Sequence, residues 1–162
     1  MLPRSYDEQV CSIARSLEVV GERWTMLIVR DLLHGVSRFE HLQGNLGVAR
    51  TVLATRLQRL CEEGVAERRL YQTSPERYEY RLTRKGTDLV PAIVSLLRWG
   101  DRYYPASEGL PRLLEHHECG GTIEQPLVCS RCGSTLTADE IVSKPGPGSS
   151  ELGRRAGAVV VG

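Results

Sequence analysis

The sequence predicts an α+β fold, mainly α: four helices, a β-hairpin and a long last helix, with a small metal-binding appendage behind them. Three observations predict it. Apolar residues recur at helical spacing up to Gly64, and glycines stand where the apolar pattern stops. Two alternating stretches rich in aromatic or β-branched residues, "VAERRLYQT" and "RYEYRL", flank the turn "SPE". Finally, "HHECGGTIEQPLVCSRCG", residues 116–133, gathers histidine and cysteine in a chain that has only 5 cysteines in 162 residues.

The first helix is "CSIARSLEVV", with Ile13, Ala14, Leu17 and Val20 on one stripe and Gly21 as its stop. "ERWTMLIVRDLLH" is more apolar and reads as the central core helix, closed by Gly35. Ser37 and Glu40 have the spacing of a capping box, which would open a short third helix at "RFEHLQ". "GNLG", 44–47, reads as a turn into a fourth helix ending at Gly64. After the hairpin, Thr83 can cap a long last helix, "RKGTDLVPAIVSLLRWGDRYY", in which Pro91 should mark a kink or a bend. Leu89, Val90, Ile93, Val94, Leu96, Leu97 and Trp99 cover more than one face of it, so one face packs inward and another calls for a partner, most simply a second copy.

Helix, helix, turn, helix and hairpin is the order of a winged helix-turn-helix. Charge supports a nucleic-acid partner. The chain's net charge is only +1, yet residues 50–85 hold nine basic against five acidic residues, and nearly all basic residues of the chain are arginine. In the fourth helix Leu53, Leu57 and Leu60 form an inward stripe. Opposite them lie Thr51, Thr55, Gln58 and Arg59, flanked by Arg50 and Arg56, and the only acid on that face is Glu62 in the last turn. Hydroxyls, an amide and guanidinium groups can reach base edges and phosphates of double-stranded DNA in a major groove. Arg38 at the mouth of the third helix, and Arg69, Arg77 and Tyr78 on the hairpin, complete the candidate DNA contacts. Ala49, just before the fourth helix, offers no side-chain cap. No apolar run approaches membrane-spanning length and the N-terminus lacks a signal-peptide pattern, so a cytoplasmic location is expected.

"CSIARSLEVVGERWTMLIVRDLLHGVSRFEHLQ", "GVARTVLATRLQRLCEEGV" and "RYEYRLTRKG...WGDRY" together resemble the HxlR-type bacterial transcriptional regulators, over about residues 9 to 104. The resemblance implies a homodimer joined through the first and last helices that binds pseudo-palindromic operator DNA. It also implies control by a small-molecule effector such as an aldehyde, quinone or oxidant. In some members a cysteine opening the first helix senses electrophiles, which makes Cys11 the candidate redox sensor, although Ser12 stands where the family commonly has proline.

His116-x2-Cys119-x9-Cys129-x2-Cys132 supplies one imidazole and three thiolates in two matched pairs, a donor set that suits a closed, structural zinc ion. His117 is a rival for His116. With all four ligands from protein no open position remains, so no catalysis is expected. The sequence thus divides into a DNA-binding and dimerisation domain (9–105), a zinc-ribbon-like segment (112–143) and a Gly/Pro/Ser-rich tail (144–162) expected to be disordered. Two other readings stand beside that of a regulator: a metalloenzyme, and a zinc-dependent protein-interaction module.

Overall fold

The leucine stripe of the fourth helical segment organises the first half of the molecule. In the computed structural model, which describes residues 6, 10–149 and 159–160, Leu53, Leu57 and Leu60 are fully buried in helix α4 (Arg50–Glu62). They close on Ile28, Val29 and Leu32 of α2 (Thr25–Leu33) and on Leu42 and Leu46 of α3 (Phe39–Leu46). Full burial of one such leucine stabilises by about 1.5–3 kcal/mol. Val65 and Ala66 extend this core into strand β1 (Ala66–Thr73), which pairs antiparallel with β2 (Glu76–Leu82). Helix α1 (Ser12–Val20) buries only Ala14.

This is the expected winged helix-turn-helix, and the departures from sequence expectation are local. Ser37 and Glu40 form no capping box: the N-cap of α3 is Arg38, without a side-chain bond. The Ser37 hydroxyl instead donates to Glu79 Oε2 at 3.3 Å, while its carbonyl accepts from the Tyr80 N–H at 2.7 Å. Arg38 also bridges Glu79, so this stretch serves as a short third strand of the wing and its serine is spent there. The "GNLG" turn is shorter than expected, since Gly44 is still helical. The turn is made at Gly47, whose φ of 61° is a left-handed conformation that favours glycine. Gly21 stops α1 in a right-handed conformation.

The single last helix is in fact two, α5 (Arg84–Thr87) and α6 (Val90–Tyr103). Pro91 sits in the first turn of α6, where its missing N–H has no helical partner to lose. Thr83 is the cap expected: its hydroxyl accepts from Gly86 N–H at 3.3 Å and donates to the Gly64 carbonyl at 2.6 Å.

The chain divides into two compact units, Met1–Val94 and Ser95–Gly162. The second holds most of α6, where Trp99 packs against Tyr103 and Tyr104, and two small antiparallel pairs. These are β3 (Leu127–Val128) with β4 (Thr135–Leu136), and β5 (Val142–Ser143) with β6 (Val159–Val160). Residues 150–158, 161 and 162 of the tail lie outside the described residues. Of the tail's last residues, Val159 and Val160 are described, and they pair with Ser143 and Val142. Among the described residues no helix is long and apolar enough to cross a membrane.

Candidate nucleic-acid interface

Gly47 turns the chain from α3 into α4, and Arg50 in the first turn of α4 reaches Phe39 in the first turn of α3, beside the hairpin. An open groove of about 660 Å³ runs between them. Arg38, Arg50, Arg68 and Arg77 line it with His41, against two carboxylates, Glu40 and Glu76. It is an electropositive cleft suited to a phosphate backbone.

How the arginines are held separates them into two kinds. Arg38 lies over the Tyr71 ring at 4.7 Å, Arg50 over Phe39 at 4.7 Å and Arg68 over Tyr78 at 3.5 Å. Stacking on an aromatic face fixes the plane of a guanidinium while leaving its N–H edge available. None of these three, nor Arg77, is in an ion pair among the described residues. Three other arginines singled out from the sequence are already paired. Arg56 meets Glu22 at 2.6 Å with its side chain three-quarters buried, Arg59 meets Glu63 at 2.8 Å, and Arg69 meets Glu67.

The outer face of α4 is exposed as its sequence pattern requires. Thr51, Thr55 and Gln58 are all exposed; the Thr55 hydroxyl donates to the Thr51 carbonyl at 2.9 Å and Gln58 to Glu62 at 2.8 Å. No side chain caps this helix at Ala49. On the hairpin, register places Arg68, Leu70, Tyr78 and Tyr80 on one face and Glu67, Arg69, Glu79 and Arg81 on the other. The structure therefore brings Arg38, Arg50, Arg77 and Tyr78 to the groove and puts Arg69 on the opposite side of the wing. Arg68, Phe39, His41 and Tyr71 belong to the groove and were not singled out. Alternation with Tyr78 and Tyr80 could have found Arg68. Tyr71 sits at the register shift between Leu70 and Gln72, which no pattern in the chain announces.

Cys11 is exposed and is the N-cap residue of α1, with an extended backbone. Cys61, at the far end of α4, is half-buried, and burial pushes its thiol up despite the opposing charge of Arg68. Of the candidate metal ligands, His116 Nδ1 lies 3.1 Å from Cys119 Sγ. Cys132 is hydrogen-bonded with Ser134 and with Cys129, and the Ser134 hydrogen bonds foremost bring its thiol down to about 7. Among the described residues no three His, Cys, Asp or Glu side chains converge in a group able to hold a metal ion.

The same architecture recurs among known proteins. Residues 19–108 match the HxlR-like helix-turn-helix family. The chain is 50% identical over 137 residues to the uncharacterized HTH-type transcriptional regulator Rv3095 of Mycobacterium tuberculosis, covering 85% of this chain and 87% of that one. The crystal structure of PA1607 superposes with a TM-score of 0.72 at 38% identity, over 81% of this chain and 92% of that one. The reduced form of the transcriptional regulator YodB from B. subtilis does so with a TM-score of 0.51 at 29% identity, over 60% of this chain and 98% of that one. A helix-turn-helix with a stacked-arginine groove, matched by the family over more than half its length, has one reading: the chain belongs to the HxlR-like helix-turn-helix family and is a DNA-binding transcriptional regulator.

Proposed function

We propose that the protein acts as a homodimer on a pseudo-palindromic operator, with α4 in the major groove of each half-site and the hairpin along the flanking backbone. The observation that carries this reading is the groove itself. Arg38, Arg50 and Arg68 are held on aromatic faces and paired with no carboxylate among the described residues, beside an α4 surface of threonine and glutamine. Stacked arginines position phosphates, and the amide and hydroxyls of Thr51, Thr55 and Gln58 are of a length to read base edges. The two-fold arrangement is supported by apolar side chains left exposed on α1 (Ile13, Leu17) and on α6 (Leu96, Trp99, Tyr103).

A small electrophile or oxidant acting at Cys11 is the effector reading. Its support is placement: an exposed thiol opens the helix whose apolar side chains are proposed to meet the partner protomer. Modification there would alter how the two reading heads are held.

The test begins with footprinting of genomic DNA by purified protein, followed by titration of the recovered site at several salt concentrations. The logarithm of the binding constant should fall linearly with the logarithm of salt, with a slope of roughly −0.9 per phosphate neutralised. Binding that is insensitive to salt, or equal for the recovered site and for unrelated duplex, would remove the reading.

A further inference from the structure

The two turns that carry the His and Cys pairs are the same piece of backbone built twice. In the first, the His116 N–H donates to the Gly121 carbonyl at 2.7 Å, and the Gly120 N–H donates back to the His116 carbonyl at 2.8 Å. In the second, the Cys129 N–H donates to the Ser134 carbonyl at 2.9 Å, and the Gly133 N–H donates back to the Cys129 carbonyl at 2.8 Å. Both turns place a glycine in the left-handed region at the fifth position, Gly120 at φ 69° and Gly133 at φ 74°. Both are clamped by antiparallel pairing at their base, Glu115 with Thr122 in one and Val128 with Thr135 in the other. The equivalent positions then carry equivalent chemistry. The first position is His116 or Cys129 and the fourth is Cys119 or Cys132, and in the first turn the two donors lie 3.1 Å apart.

A second observation is independent of the first. Among the described residues from Ser95 onward not one is buried, and Leu110, Leu113, Leu127 and Val128 are all more than half exposed. A segment with no apolar core does not hold tight turns of this kind by burial, and short segments of this sort are ordinarily held by a cross-link or a metal. All five cysteines are free thiols, so no disulfide does it.

We propose that the two turns are the halves of one structural zinc site, His116 and Cys119 from the first and Cys129 and Cys132 from the second. One imidazole and three thiolates are the soft-to-borderline donor set that a tetrahedral zinc ion takes. The two donor pairs do not converge among the described residues, so binding one ion requires the turns to approach each other across their link, Glu124, Gln125 and Pro126. Each thiol that coordinates releases its proton to solvent, and no oxidant or reductant is needed. His117 occupies the second position of the first turn, which has no donor counterpart in the other (Ser130), so the repeat selects His116. With four protein ligands the ion has no open position and serves to fold the second unit. This inference does not rest on the DNA-binding reading.

The experiment uses the full chain, purified under reducing conditions without added chelator. Elemental analysis should find about one zinc per chain, and replacing it with cobalt(II) should give the visible absorption of a tetrahedral thiolate site. His116→Ala and Cys129→Ser should each abolish that absorption, whereas His117→Ala should retain it. Stripping the ion should open the segment around Arg112 and Arg131 to trypsin while the helical circular dichroism of the winged unit persists. Three results would overturn the proposal: reduced protein that neither retains zinc nor takes up cobalt, loss of metal on His117→Ala alone, or a thiol count showing Cys129 and Cys132 joined as a disulfide in the isolated protein.

Discussion

At the scale of single residues, the arginines divide by what their guanidinium groups already do. Arg59 and Arg69 face carboxylates on the surface, an arrangement worth about 0–1 kcal/mol that DNA would have to compete with. Arg50 and Arg68 lie on Phe39 and Tyr78 and have no such competitor among the described residues. Arg50→Ala and Arg68→Ala should therefore each weaken operator binding by about 1–3 kcal/mol, or flatten the salt slope by roughly one unit where the contact is to phosphate. Arg59→Ala and Arg69→Ala should do less, measured by fluorescence anisotropy on the same fragment. Equal losses at all four positions would mean that stacking does not select the contacts. The thiols of the first unit divide in a similar way. Cys11 is exposed, whereas burial raises the Cys61 thiol and keeps it protonated at neutral pH. Diamide should accordingly release operator DNA from wild-type protein and not from Cys11→Ser, with Cys61→Ser behaving as wild type. Release that is the same in all three proteins would reduce Cys11 to a surface residue.

At the scale of elements, the corner where α4 meets β1 and β2 meets α5 is fixed by Thr83 and Gly86. The Thr83 hydroxyl joins the Gly64 carbonyl to the first turn of α5, and its N–H donates to the Val65 carbonyl at 3.1 Å. Gly86 lies so close to the strand that an added Cβ would stand 2.2 Å from the Val65 carbonyl oxygen, a backbone atom that cannot step aside. Thr83→Ala should lower unfolding free energy by about 0.5–2 kcal/mol, with Thr83→Ser recovering most of it. Gly86→Ala should lower it by about 1–3 kcal/mol through overpacking. Denaturant titration followed by circular dichroism checks both, and a Gly86→Ala protein as stable as wild type would show that the corner can open. These elements also show what the chain made legible. The leucines of α4 were readable because a helix of period 3.6 turns every third or fourth residue to the same side, whatever lies opposite. Thr83 was readable because a cap acts within its own turn. Ser37 looked like a cap for the same reason and was not one, because its hydrogen bonds go to Glu79 and Tyr80, more than forty residues on. The choice between Arg68 and Arg69 is not legible for a related reason: facing depends on the register of β1 against β2 and on the irregularity at Tyr71. Local periodicity and capping are written in neighbouring residues; the choice between two adjacent arginines is made by a strand elsewhere in the chain.

At the scale of the molecule, the proposed operator has two half-sites and the groove of one chain serves one of them, so the proposed dimer is tested at the apolar side chains left exposed on α1 and α6. Ile13 on α1 is 71% exposed and Leu96 on α6 is 55% exposed. Ile13→Glu and Leu96→Glu should therefore leave helix content intact while halving the mass measured by light scattering at micromolar concentration. A wild-type protein already monomeric under those conditions would end the dimer reading. Symmetry then carries a consequence for the DNA. Two α4 helices related by a two-fold axis enter successive major grooves on one face of the duplex, so half-site centres lie about 10 bp apart or a multiple of that. Inserting about 5 bp between half-sites turns one of them to the far side of the helix, which a rigid dimer cannot reach. Affinity for the interrupted operator should fall to that of an isolated half-site, and the glutamate variants should bind intact and interrupted operators alike. If wild-type protein bound both equally tightly, the two reading heads would be acting independently, and the apolar faces of α1 and α6 would have to serve something other than the arrangement of α4 on DNA.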